Sequence, residues 1–210
     1  MKKIVNLFPV VTLEAIIDDY ESINTRLMSE IEKLFDNDEE KRVLSHKWNS
    51  FVIKRDKDPL GYTSYNGSNL IEHPDFKFFY DHIGGLITDF FAQLDYHEEW
   101  NFYNSWASVY PKGAFVPSHD HRPFHWSGAY YVKALDNCGD IRFTDPKEYA
   151  LQNEPTNTSF RGNLQQSVTP TPGKLLVFPS YLKHETMPNE SAEDRIIISF
   201  NILAKPTVHT

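Results

Sequence analysis

Trp126-Ser127-Gly128-Ala129-Tyr130-Tyr131-Val132-Lys133, then a turn-rich interval through Asn137-Cys138-Gly139, then Asp140-Ile141-Arg142-Phe143: this stretch decides how the chain is read. Aromatic and β-branched residues fill the flanks, and Asn, Gly and Asp fill the interval, which is the pattern of strand, turn and strand. Working outward, the same alternation predicts strands over 102–110, 174–178 and 195–203 beside those at 126–133 and 140–143. From about Trp100 onward the chain is expected to be β throughout.

The first half follows a different period. Tyr20, Ile23, Leu27, Ile31 and Leu34 recur at helical spacing, and the charged run 36–40 ends that segment. After Pro74, Phe79, Ile83, Leu86, Ile87, Phe90 and Phe91 form the stripe of a second helix, which the pair Gly84-Gly85 is expected to weaken locally. Residues 56–69, rich in Gly, Ser, Asn and Asp, read as a loop suited to a pocket rim, and 146–168 as an excursion suited to a lid. The expected architecture is mainly β with flanking helices. The 210 residues form a single domain in this reading, 1–99 supporting a core at 100–204.

Composition narrows the function classes. A formal charge of -8 argues against a phosphate-binding groove, so no nucleic-acid partner is expected. One cysteine, Cys138, cannot form an intrachain bridge, which excludes the disulfide scaffolds and favours a reducing compartment. Lys2-Lys3 precede only a short apolar run that Asn6 and Pro9 interrupt, and no stretch approaches the roughly 20 apolar residues of a spanning helix. A cytoplasmic protein with no membrane partner is the expectation.

The chemistry sits in Ser118-His119-Asp120-His121. On an extended chain, positions i and i+2 project from one face, so His119 and His121 could meet one metal while Asp120 points away. His184 follows the apolar run 174–178 and would arrive from a distant part of the chain. Three ligands on one face leave positions open, as a catalytic iron requires. Arg195 heads the apolar run 195–200, where a guanidinium calls for an anion, and the far carboxylate of a dicarboxylate cosubstrate would supply it.

Taken singly, these residues have plainer roles. Each histidine suits an exposed loop, Arg195 suits an edge charge that protects a sheet, and a strand Tyr such as Tyr110 or Tyr131 suits the core with its hydroxyl satisfied. Their order along the chain is what favours a metal site. Asp120 is the alternative ligand if the segment is a bulged loop. His125 and Asp140 are weaker candidates, for a substrate contact and for a turn acid.

Tyr110-Pro111-Lys112-Gly113, His119-x-His121, Ala129-Tyr130-Tyr131-Val132, Phe178-Pro179-Ser180, His184 and Arg195 together resemble the prolyl-hydroxylase-type branch of the 2-oxoglutarate/iron(II) oxygenases. Ser127-Gly128-Ala129-Tyr130-Tyr131 and the stretch from Phe178 to His184 are most similar to a bacterial and phage subgroup with a His-x-His motif. The resemblance covers about half of the chain. It implies a double-stranded β-helix, a jelly roll of the cupin-like kind, with a ferrous ion near its mouth. His119 and His184 would be metal ligands, Arg195 would bind the distal carboxylate of 2-oxoglutarate, and Tyr131 and Tyr110 would contact the cosubstrate. The implied reaction consumes O2 and 2-oxoglutarate, releases succinate and CO2, and hydroxylates a small-molecule or peptide substrate, with ascorbate a possible stimulant.

The chain departs from the common pattern twice. His121 stands where a carboxylate is usual, and an all-imidazole set also suits zinc. Ile197 stands two residues after the arginine where Ser is common. Ser199, on the same strand face, lies about 13 Å from position 195 at about 3.3 Å per residue, which leaves Tyr131 as the better second donor. Two further readings stay open: a zinc-dependent jelly-roll hydrolase or isomerase, suggested by the three imidazoles, and a noncatalytic ligand-binding jelly roll, suggested by Trp100, Trp106 and Trp126.

Overall fold

Two antiparallel sheets face each other in the computed structural model, which describes residues 9–36, 62–64, 69–96, 99–147 and 164–205. In chain order the strands are β1 (Leu13–Ile16), β2 (Tyr62–Thr63), β3 (Glu99–Tyr110), β4 (Val116–His119), β5 (Trp126–Lys133), β6 (Ile141–Thr144), β7 (Gln165–Val168), β8 (Lys174–Pro179), β9 (His184–Thr186) and β10 (Arg195–Lys205). The major sheet runs β1-β8-β5-β10-β3-β2 and the minor sheet β4-β9-β6-β7. The helices are α1 (Tyr20–Asp36) and α2 (Lys77–Gln93).

The period-2 rule sorts the major sheet into two faces. Tyr130 and Val132, Leu175 and Val177, and Ile196, Ile198, Phe200 and Ile202 join Leu27, Phe79, Ile83, Ile87 and Phe91 of the helices in one buried cluster. Their neighbours Ala129, Tyr131, Leu176, Phe178 and Ile197 point the other way and pack with Tyr110 and Ile141 between the sheets. A strand buried on both faces reads as an unbroken apolar run, which is why 195–200 and 174–178 look continuous in the sequence.

The register lays the inner face out in tiers. Arg195 pairs with Tyr110, Ile197 with Ser108 and Tyr131, Ser199 with Trp106 and Ala129, and Asn201 with Asn104 and Ser127. Ser199 thus stands two tiers from Arg195, consistent with the spacing expected from the sequence. The five expected strands are present, β3 and β10 running on until Glu99 meets Lys205.

Other elements differ from expectation. α2 passes unbroken through Gly84-Gly85, and a Cβ at either would meet nothing within 4 Å, so the pair lies where the helix packs against nothing. Of the expected lid at 146–168, residues 148–163 lie outside the described residues, and Gln165–Val168 is a strand pairing with β6. Of the expected rim loop at 56–69, only 62–64 and 69 are described, and 62–63 form β2. The charged run expected to end α1 lies outside the described residues beyond Asp36. β1, β4 and β9 were not expected. Among the described residues no helix is long and apolar enough to cross a membrane.

Candidate metal and cosubstrate site

β4 and β9 are short, and pairing rather than apolar content holds them. Their register sets His119 opposite His184 and Val116 opposite Thr186. Each of the two imidazoles is oriented by its own backbone: His119 Nδ1 lies 2.8 Å from the Pro117 carbonyl and His184 Nδ1 lies 2.9 Å from the Leu182 carbonyl. A carbonyl only accepts, so Nδ1 carries the proton in both and Nε2 keeps the lone pair that a metal needs.

His121 arrives differently. β4 ends at His119, so the alternation of an extended strand does not deliver it; it sits in the turn that follows, its N–H donating to the Ser180 carbonyl at 2.9 Å. The three rings nonetheless converge, with centroids 4.4 Å (His119–His184), 5.0 Å (His119–His121) and 5.1 Å (His121–His184) apart. One ligand atom from each lies within 4.8 Å of the others, a spacing that can hold a metal ion.

Asp120 does not join them. Arg122 donates from Nε to Oδ1 at 3.1 Å and from Nη2 to Oδ2 at 2.8 Å, and its backbone N–H reaches Oδ1 at 3.2 Å. That guanidinium holds the Asp120 carboxyl below its usual range. The carboxylate is occupied, and among the described residues the metal-competent group contains the three imidazoles alone.

Burial sets the charge state. It pushes His119 and His184 below the usual imidazole value and His121 down to about 4, the neighbouring rings adding to the shift in His121 and His184. All three are therefore neutral at neutral pH, the form that ligates.

Behind the imidazoles lies a mostly apolar cavity of about 260 Å³. Tyr110, Tyr131 and Thr186 line it, and Arg195, against Tyr110 and Thr186, is fully buried behind them without itself lining the cavity. Arg195 Nη1 donates to the carbonyls of Cys138 (2.6 Å), Gly139 (2.9 Å) and Met187 (3.2 Å), and Nη2 to Thr186 Oγ1 (3.1 Å). Its guanidinium carbon lies 4.8 Å from the centre of the Tyr110 ring. Nε is buried with no hydrogen-bond partner. An orphaned guanidinium donor is costly unless something accepts from it, and Nε beside Nη2 is the edge that grips a carboxylate. The edge-charge role weighed for Arg195 does not fit such burial. Burial raises the Tyr110 and Tyr131 phenols while Arg195 opposes the rise, so both are hydrogen-bond donors at neutral pH.

Two candidates fall away from the site. His125 Nδ1 accepts from the Ala204 N–H at 3.0 Å and its own N–H donates to Ile202, so it fastens its loop to β10. Asp140 accepts from the Met187 N–H through its main-chain carbonyl at 2.8 Å and does not line the cavity. Thr186 was not singled out from the sequence, and Trp106 was noted there only among the tryptophans of a ligand-binding jelly roll, not as a neighbour of the imidazoles. Thr186, two residues after His184 on β9, accepts from both Arg195 and the Val116 N–H. The Trp106 ring lies 5.9 Å from that of His121. Period 2 counted from His184 would have found Thr186; nothing local marks Trp106.

Residues 104–201 match the family model described as "Putative 2OG-Fe(II) oxygenase". No curated protein matches the chain. Among solved structures, the prolyl-4-hydroxylase of Pseudomonas putida is similar at 14% identity and TM-score 0.60, covering 94% of both chains. A Trichoplax adhaerens prolyl hydroxylase in complex with a hypoxia inducible factor peptide fragment has 14% identity and TM-score 0.55, over 91% of this chain and 83% of that one. The non-heme alpha ketoglutarate dependent carbocyclase SnoK from nogalamycin biosynthesis has 11% identity and TM-score 0.62, over 95% and 84%. At these identities the likeness is one of fold, the double-stranded β-helix. The family match runs from within β3 to within β10, just under half of the chain, and takes in every candidate ligand.

Proposed function

We propose that the chain is an iron(II)- and 2-oxoglutarate-dependent dioxygenase, one domain, in which His119, His121 and His184 ligate the metal and Arg195, Tyr131 and Tyr110 hold the cosubstrate. When bound, the iron and cosubstrate supply an oxidative decarboxylation that gives succinate and CO2 and places one atom of O2 into a substrate C–H bond. Hydroxylation of a small molecule or a peptide is the proposed outcome, both classes being represented among the similar structures.

The convergence of three neutral imidazoles within 4.8 Å, two with Nδ1 committed to backbone carbonyls, carries this reading. The rest follows from what the chain's own groups do. A carboxylate-free ligand set leaves the charge of the cation uncompensated, which favours a dianionic cosubstrate. Arg195 Nε offers that dianion a buried donor, and Tyr131 a hydroxyl at the next tier. Phe178, Ile141 and Ile197 exclude water from the cavity. The free, buried Cys138 accords with a reducing, cytoplasmic setting.

The test is succinate formation from 2-oxoglutarate under O2 with iron(II), where ascorbate is expected to stimulate by keeping the metal reduced. Metal-dependent succinate above the metal-free control is the expected result. Turnover supported by zinc with no consumption of 2-oxoglutarate would instead favour the hydrolase or isomerase that three imidazoles also suit.

A further inference from the structure

Two motifs that the metal site leaves unused meet in the core. Ser127 opens Ser127-Gly128-Ala129-Tyr130-Tyr131 and Ser180 closes Phe178-Pro179-Ser180; both are buried, and their hydroxyl oxygens lie 2.7 Å apart. Ser127 Oγ also lies 2.7 Å from Asn201 Oδ1, which only accepts, so the one Ser127 proton goes there. Ser180 therefore donates to Ser127. Asn201 passes the direction on, its Nδ2 donating to Asn104 Oδ1 at 2.9 Å. The register brings these groups together, since Asn201 pairs with Asn104 on one side and Ser127 on the other.

Ser180 is also the residue that carries His121. With β4 ended, the His121 N–H is held by the Ser180 carbonyl, and the Ser180 N–H donates to the His125 carbonyl at 3.0 Å, so the 121–125 turn is clipped to the turn after β8. The His121 ring, unlike those of His119 and His184, has no hydrogen bond to any described residue and rests against Trp106 and the other imidazoles. Its placement depends on its backbone, and its backbone depends on Ser180.

We infer that Ser127, Ser180 and Asn201 are positioning residues for His121: their buried chain of hydrogen bonds fixes the Ser180 backbone and, through it, the third imidazole. The inference rests on the proposal that His119, His121 and His184 bind a metal. Groups that orient a metal ligand typically matter about 10- to 100-fold in affinity, and the proton order derived above makes Ser127 the link without which both neighbours lose a partner.

Cobalt(II) titration of the full-length metal-free chain, read by visible absorption, tests it. Ser127→Ala is expected to weaken cobalt binding by about 10-fold or more, and Ser180→Ala, which leaves the Ser127–Asn201 bond in place, serves if the first variant does not fold. A purely structural role would weaken binding in any background. In a His121→Ala background, by contrast, neither serine substitution should lower affinity further, because the ligand they place is gone. Wild-type affinity in both serine variants, or an equal loss with and without His121, overturns the inference while leaving the metal site standing. A wild-type chain that takes up no cobalt overturns the metal site and this inference with it.

Discussion

The imidazole of His119 faces that of His184 across an antiparallel strand pair, ring centroids 4.4 Å apart, because the two are Cα partners in the β4–β9 register. A slip of one residue in that pairing would turn His184 to the opposite face. The site therefore depends on register between two short strands, and the register is reinforced by Thr186 Oγ1, which accepts the Val116 N–H at 2.9 Å.

His184→Ala removes one of three converging nitrogens and a single hydrogen bond to Leu182. Metal affinity should fall by more than the roughly 100-fold that loss of a supporting contact can cost, while far-UV circular dichroism stays that of the wild type. Metal titration of the variant checks the first and the spectrum the second.

Arg195→Ala should do more than raise the requirement for 2-oxoglutarate. It strips the partner from the carbonyls of Cys138, Gly139 and Met187 and from Thr186 in a fully buried place. A loss of about 3–5 kcal/mol is expected, the usual range when one partner of a buried polar network is removed. Denaturant unfolding measures it, and an unchanged midpoint would contradict the anchoring role.

Tyr131→Phe separates binding from stability. The Tyr131 hydroxyl is at the cavity and hydrogen-bonds to no described residue, so its removal should shift unfolding by less than about 0.5 kcal/mol. If it donates to the cosubstrate carboxylate, the KM for 2-oxoglutarate should rise about 10-fold or more, the worth of a bond to a charged group. Steady-state kinetics on the variant decide this.

Gly128→Ala should destabilise by about 1–3 kcal/mol, the cost of overpacking. A Cβ there would collide with the Phe200 ring and come 2.9 Å from the Leu176 carbonyl, a backbone atom that cannot swing aside. A lowered melting temperature is the expected outcome.

Acid should unfold the metal-free chain through its imidazoles. In the fold, burial holds all three below their ordinary value of 6.5, His121 at about 4. The unfolded chain thus takes up protons below about pH 6.5 that the folded chain refuses, and stability falls as pH drops from there toward the folded values. The melting temperature should be flat above that window as far as these groups are concerned, decline within it, and decline less steeply in His121→Ala.

Legibility tracked the source of each element's stability. β5, β8 and β10 announce themselves because their side chains are buried, and burial selects Val, Ile, Leu, Tyr and Phe. Gln165-Gln166-Ser167-Val168 gives no such sign, since three of its four side chains are exposed and its partner strand holds it. β4, with Pro117 and Ser118 inside it, is likewise defined by its pairing. The Asp120 alternative could not be decided from spacing, because the group that occupies its carboxylate, Arg122, looks in the sequence like any surface cation.

Residue type and period were enough, by themselves, to determine a β core behind two amphipathic helices, a trio of candidate imidazoles and an arginine out of place at the head of an apolar strand. Those are properties of local pattern, and the backbone's periods of 2 and 3.6 carry them. Only the tertiary structure decided that His121 is held by Ser180 rather than by its own strand, that Asp120 is engaged elsewhere, and that Arg195 keeps one buried donor unspent. His121 and Arg195 are settled by segments far apart in the chain, and Arg122, though only two residues from Asp120, engages it through the local conformation; a hydrogen bond's partner is decided by conformation, register and burial, which residue type alone does not state.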